Sequence, residues 1–319
     1  VLKKIAIAAV AMLLVTALAG FAFQRWSDAD FTRSHPAPGM FAQVDGRRVH
    51  YRVTGEGEFT FVLEAGLGDY SGSWGNLESR LAEIGRVFVY DRAGLGWSEK
   101  SAQPRTVEQI AAELHATLTQ ARIPKPYVLV GHSYGGLIQA VYAMHYPEDA
   151  AALLLIDPSH PDQWNRLPSP PAPVLFLMTQ ISRMAPFGLS QLLRRSSDPV
   201  RNQTSYFQTS GAESRELVSL GRSGTKVPIH LGKTPIYVLT AGVVRFPNRS
   251  EAENKRLGEV WASLHEDIVA SSSSAIRKHL VVAGASHQIH KSHLEVVLAA
   301  ARELTERVHR ETPPHSTAE

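Results

Sequence analysis

The chain has 319 residues with 33 Lys+Arg against 30 Asp+Glu, a formal charge of +3. An apolar fraction of 44% with 20% charged residues supports a sizeable core and excludes wholesale disorder, and so small a basic excess gives no electrostatic footprint for nucleic acid. The absence of cysteine removes disulfide frameworks, thiolate metal sites and a Cys nucleophile.

Lys3 and Lys4 precede an uncharged run over residues 5–23 that is apolar but for Thr16. About 20 such residues span a bilayer, so the run reads as a transmembrane anchor. It reads equally as a secretory signal, with Ala17-Leu18-Ala19 as the cleavage site. Either reading puts the rest of the chain outside the cytoplasm, since the lysines stay inside. A buried core helix is the plainer alternative, and residues 1–26 are set aside from the fold.

Residues 41–44 and 47–53 alternate around Asp45-Gly46, a hairpin pattern. Short apolar, β-branched runs follow at 60–64, 87–91, 127–131, 153–157, 236–240 and 280–282. Helical patterns occupy 76–84, 106–122, 137–146, 251–270 and 293–308, and Thr106 with Gln109 opens one of them as a capping box. A hairpin followed by alternating strands and helices implies an α/β fold, a mostly parallel sheet covered on both faces.

Between Asp157 and Pro235 the strand pattern stops. So long a connection is expected to be a helical cap or lid rather than a structureless loop. The division is then a first core part over 27–157, an insertion over 158–235, a second core part over 236–310 and a disordered polar tail over 311–319. Within the insertion, residues 174–178 with Ile181, Met184, Phe187, Leu189, Leu192 and Leu193 are apolar. They could wall an apolar pocket, form the face buried against the main domain, or touch a membrane with Arg194 and Arg195.

Gly131-His132-Ser133-Tyr134-Gly135 is G-x-S-x-G, set between a strand and a helical pattern. A sharp turn there would hold Ser133 in a strained conformation above the sheet, with glycines where neighbouring chains approach. It also sets Ser133 on a helix N-terminus, which favours developing negative charge. The bland alternative is a glycine-rich βα turn with an incidental serine.

Three further stretches accompany this pentapeptide in order: Glu64-Ala65-Gly66-Leu67-Gly68, Asp91-Arg92-Ala93-Gly94-Leu95-Gly96-Trp97-Ser98 and Ser286-His287-Gln288-Ile289. Together they resemble the α/β-hydrolase family over residues 41 to about 308, as its oxyanion loop, its D-R-x-G-x-G-x-S turn and its catalytic-histidine segment. The resemblance implies Ser133 as nucleophile, His287 as base, and the backbone N–H groups of Leu67 and Tyr134 as the oxyanion hole. It implies no cofactor and no metal, and a small-molecule ester as the partner. A serine at the elbow argues against the dehalogenase and epoxide-hydrolase branches, which use aspartate there.

The acid departs from the family's common pattern. No carboxylate follows the 236–240 strand until Glu251, whereas Asp157 ends the preceding strand and keeps the order nucleophile, acid, base. Asp157 is therefore the expected acid, with strand-end capping as its structural alternative, and Asp91 is read as structural. His160 competes with His287 for the role of base, and His290 and His293 follow it without a carboxylate partner for a metal. The expected activity is hydrolysis of a carboxylic ester with a lipophilic acyl or alcohol part, through an acyl-enzyme on Ser133. Its rivals are another serine-dependent chemistry on this fold (aminopeptidase, thioesterase or C–C hydrolase) or a non-catalytic binding protein.

Overall fold

The computed structural model describes residues 1–188, 197–222 and 228–311. Its centre is one eight-stranded sheet: β1 (Met40–Val44), β2 (Arg47–Thr54), β3 (Thr60–Glu64), β4 (Arg86–Tyr90), β5 (Tyr127–His132), β6 (Ala150–Ile156), β7 (Ile236–Ala241) and β8 (Arg277–Val282). The spatial order is β1-β2-β4-β3-β5-β6-β7-β8. The hairpin β1–β2 and the β2–β4 pair are antiparallel, and every later pair is parallel.

The helices are α1 (Leu2–Ser34), α2 (Asn76–Leu81), α3 (Val107–Gln120), α4 (Tyr134–His145), α5 (Gln163–Arg166), α6 (Ala172–Met184), α7 (Thr204–Arg222), α8 (Glu251–Ala270), α9 (Ile289–Ser292) and α10 (Leu294–Glu311). Parallel strands need crossovers, and those crossovers cover both faces of the sheet. Strands β3, β5 and β7 are accordingly buried along their whole length. Alternate side chains feed two cores. Val62, Leu129, Leu153 and Val238 pack with α3 and α4 through Ile110, Leu114, Leu137 and Val141. Phe61, Leu63, Val128, Val130 and Leu239 pack on the other face with Leu77, Leu81, Val297, Leu298 and Leu304 of α2 and α10.

All eight expected strands are present, and the boundaries shift where apolar pattern is a poor guide. Strand β8 begins at Arg277 rather than at 280, because an edge strand carries polar residues on its exposed side. Helix α4 begins at Tyr134, with Gly135 and Gly136 inside its first turn. Thr106 Oγ1 caps α3 by accepting from the Gln109 amide at 3.2 Å, half of the expected box. A reciprocal box, Ser250 with Glu253, opens α8.

The connection from β6 to β7 carries three helices among its described residues, α5, α6 and α7. Leu189, Leu192, Leu193, Arg194 and Arg195 lie outside the described residues, as does the tail from 312. Helix α1 continues beyond the apolar run to Ser34, and Phe31 near its end is buried.

Candidate active site

The strands deliver their ends to one edge of the sheet. Ser133 lies between β5 and α4 with φ +54° and ψ −122°. That conformation is sterically costly for a residue with a Cβ, and its neighbours hold it. The Ser133 amide donates to the Ile156 carbonyl at 3.1 Å, and its carbonyl accepts from Gly136 at 2.9 Å and Ser159 at 2.8 Å.

The elbow is packed against the loop that follows β3. A Cβ on Gly135 would stand 2.0 Å from the Glu64 carbonyl oxygen, and one on Gly131 would stand 2.6 Å from the Gly135 carbonyl oxygen. Real Cβ atoms do not approach so closely, so both glycines of the motif are required by contact. Gly136, which the motif does not include, is equally confined against Pro158. Across this contact run Gly66, Leu67 and Gly68, with Gly66 against the His132 ring and Gly68 at φ +65°. Neither the Leu67 nor the Tyr134 amide donates to a backbone carbonyl among the described residues. Tyr134 opens α4, where N–H groups have no partner within the helix.

Asp157 and His287 meet at the neighbouring strand ends. Asp157, at φ +46°, accepts from His287 Nδ1 on Oδ2 at 2.6 Å. Its Oδ1 accepts from the Ala241 amide and from Trp261 Nε1, each at 2.8 Å. The end of β7 thus supplies a backbone donor to the carboxylate that ends β6. Burial pushes the Asp157 carboxyl up, but the His287 hydrogen bond and charge, His265 and the Ala241 amide together hold it below the usual carboxylate range. The Asp157 side chain is 2% exposed and that of His287 50%. With Nδ1 donating to the carboxylate, Nε2 is left as the basic nitrogen, and it has no hydrogen-bond partner among the described residues. The His287 ring lies 4.7 Å from that of His132, the residue before Ser133, and the His287 carbonyl accepts from His132 Nε2 at 3.0 Å. No hydrogen bond joins Ser133 Oγ to His287 among the described residues; such contacts often tighten only with substrate bound.

His160 is held elsewhere, its Nδ1 accepting from the Asp162 amide at 3.0 Å. Glu251 is exposed in the first turn of α8. Asp91 is fully buried and accepts from His50 Nδ1, the Ser71 amide and the Trp97 amide. It shapes its own turn, as expected.

The sequence alone does not point to the contributions of Trp261, Arg92 and Glu213. Trp261 sits within the α8 pattern, where nothing marks its indole as a donor to Asp157. Arg92 belongs to a recognised motif, yet its partners come from two separate segments. It donates to the Ala65 and Gly66 carbonyls at 2.7 and 2.8 Å and pairs with Glu64 at 2.7 Å and with Glu213 of α7 at 2.9 Å. One buried guanidinium therefore ties the loop before Leu67 to the insertion. Removing one partner of a buried ion pair leaves uncompensated charge. Arg92→Met is expected to cost about 3–5 kcal/mol of stability in chemical unfolding. A cost under about 1 kcal/mol would contradict a buried ion pair that holds the insertion to this loop.

His132, His265 and His290 are buried, and burial is the main cause that pushes them down to about 3, about 4 and about 4. Neighbouring histidines add to the effect at each of the three. Unfolded histidine titrates near 6.5, so between about pH 6.5 and 4 the unfolded chain binds more protons and stability rises with pH. At pH 5 each ring then accounts for about 2 kcal/mol of lost stability. The Tm is expected to be on the order of 10 °C lower at pH 5 than at pH 7.5. A flat Tm over that window would contradict three neutral buried rings.

A family model described as alpha/beta hydrolase fold matches residues 60–201. YqjL of Bacillus subtilis (strain 168), named an uncharacterized protein, is 27% identical over 255 residues, 80% of this chain and 87% of that one. RutD of Azorhizobium caulinodans, named as a candidate carbamate hydrolase, is 30% identical over 109 residues, 34% of this chain and 40% of that one. Several other curated relatives are also matched over about half of their length or less. Among solved structures, a thermophilic esterase from Thermogutta terrifontis superposes with a TM-score of 0.57 at 19% identity, covering 85% of this chain and 98% of that one.

Proposed function

Because the chain belongs to the α/β-hydrolase fold family, we propose that it is a serine hydrolase cleaving a carboxylic ester through an acyl-enzyme on Ser133. The observation that carries this reading is the 2.6 Å hydrogen bond from His287 Nδ1 to buried Asp157, at the sheet edge where Ser133 is held in its strained turn. Ser133 Oγ attacks the carbonyl carbon as His287 Nε2 takes its proton. The oxyanion forms against the Leu67 and Tyr134 amides, whose lack of backbone partners suits them to it. His287 then protonates the leaving alcohol, and a water molecule activated by the same nitrogen releases the acid. Asp157 fixes the imidazole tautomer and stabilises the imidazolium.

The body of the protein is assigned to an extracytoplasmic location. Helix α1 is long and apolar enough to cross a membrane, with Lys3 and Lys4 at one end. The core comprises 27–157 and 236–310, and the insertion over 158–235 bears on substrate choice.

The test is a series of p-nitrophenyl esters of increasing acyl length. Turnover is expected, and His287→Ala is expected to abolish it with folding intact. A folded protein that turns over none of these esters, yet hydrolyses thioesters or aminoacyl amides, would move the assignment to those substrates. Turnover retained in His287→Ala would count against a histidine base.

A further inference from the structure

The insertion presents apolar residues to solvent rather than to the core. In α6 only Ser182 is buried. Phe176 is 66% and Leu177 59% exposed, and Val174, Met178 and Met184 are exposed with them. Val174, Leu177 and Met178 fall at helical i, i+3, i+4 spacing and form one stripe. They do not form the face buried against the main domain. Contiguous apolar surface of this kind marks an interaction site.

The stripe leads to α1. After α6 the chain turns through Ala185–Phe187 to Gly188, and there it meets the apolar helix. A Cβ on Gly20 would stand 2.3 Å from the Phe187 carbonyl oxygen, and Gly188, at φ +84°, faces Gly20 in return. The rings of Phe21 and Phe187 are 6.2 Å apart. Farther along, Asp28 accepts from the Thr204 amide at 3.2 Å and Trp97 Nε1 donates to the His35 carbonyl at 2.9 Å. Helix α1 is thus docked on the body along its second half, whereas its large apolar side chains from Leu2 to Leu18 are exposed.

Gly20 fixes a depth. It precedes Gln24, the first polar residue after the apolar run, by four positions, about 6 Å along a helix axis. Exposed Trp26, stacked on Phe23 at 5.9 Å, stands where aromatic side chains mark a membrane interface. An interfacial helix buries its apolar face by about 5–10 Å, so the turn at Phe187 lies at that depth if α1 spans the bilayer. We propose that the apolar stripe of α6 and the Ala185–Phe187 turn rest in the headgroup and upper acyl layer of the phospholipid bilayer that α1 crosses. Resting on the esterase reading above, this also names the substrate class: esters dissolved in that lipid layer.

The chain has no cysteine, so single-cysteine variants carry one label each. Leu177→Cys, Leu13→Cys in α1 and Glu83→Cys beside α2 would each take an environment-sensitive fluorophore. The full chain would be reconstituted in phosphatidylcholine vesicles without nitroxide lipid, with lipid bearing a nitroxide near the acyl carbonyl (read at Leu177) or with lipid bearing it near the chain end (read at Leu13). The Leu177 and Leu13 labels are expected to be quenched at least about threefold more than the Glu83 label. Quenching at Leu13 but not at Leu177 would overturn the proposal, and so would no quenching at Leu13, since α1 would not span. A blue-shifted Leu177 label that is not quenched and follows protein concentration would mean a second copy covers the stripe, again overturning it. In activity, Phe176→Glu with Leu177→Glu is expected to lose about tenfold on a long-chain ester in the vesicles while soluble p-nitrophenyl butyrate is turned over as before. If the parent chain hydrolyses neither ester, the esterase reading fails and quenching alone decides the docking.

Discussion

Ser133→Ala is expected to lower kcat by about a millionfold, by analogy with serine triads whose members act as a unit. That loss corresponds to about 8 kcal/mol of transition-state stabilisation. The effect should fall on kcat with KM little changed, because the hydroxyl contributes to bond formation rather than to holding the ester. Folding should be unaffected. The backbone at position 133 is held by Ile156, Gly136 and Ser159, none of which bonds to the side chain. The Ser133→Ala protein should therefore melt at or slightly above the parent temperature, as the serine's strained turn keeps the same donors and acceptors. A rate loss under tenfold would remove Ser133 from the mechanism.

Asp157→Asn should cost roughly ten-thousandfold, since an amide at this position stabilises the wrong imidazole tautomer and leaves the imidazolium uncompensated. The variant keeps the size of the side chain. Its carbonyl oxygen can still accept from Trp261 and Ala241, which donate to the Oδ1 of the native carboxylate. The KM should change little. Glu251→Gln is the matched control, because Glu251 is exposed at the start of α8 and touches neither histidine nor carboxylate of the site. If Glu251→Gln loses more activity than Asp157→Asn, the acid has been misassigned.

What the sequence made legible follows from which interactions are local. The parallel strands read clearly because burial on both faces makes them continuous apolar runs, as in Val128–Val130 and Leu153–Ile156. The elbow read clearly because its two glycines are neighbours in sequence as well as in space. Asp157 was legible by position, at the end of a strand beside Ser133's strand, and the structure sets its carboxylate 2.6 Å from His287. Trp261 and Glu213 were not legible, since each acts on a partner more than 100 positions away and nothing in its own neighbourhood requires it. The insertion leaves three alternatives open in sequence because apolar residues at helical spacing look alike whether they face a core, a pocket or a lipid. Only the exposure of Phe176 and Leu177 separates those cases.

Intact-mass analysis of the full chain after treatment with diisopropyl fluorophosphate tests Ser133 as the nucleophile. One covalent diisopropylphosphoryl adduct is expected, located by peptide mapping to Ser133, absent from Ser133→Ala and formed far more slowly in His287→Ala. An unmodified folded protein, or an adduct on another residue, would contradict a serine nucleophile at the elbow.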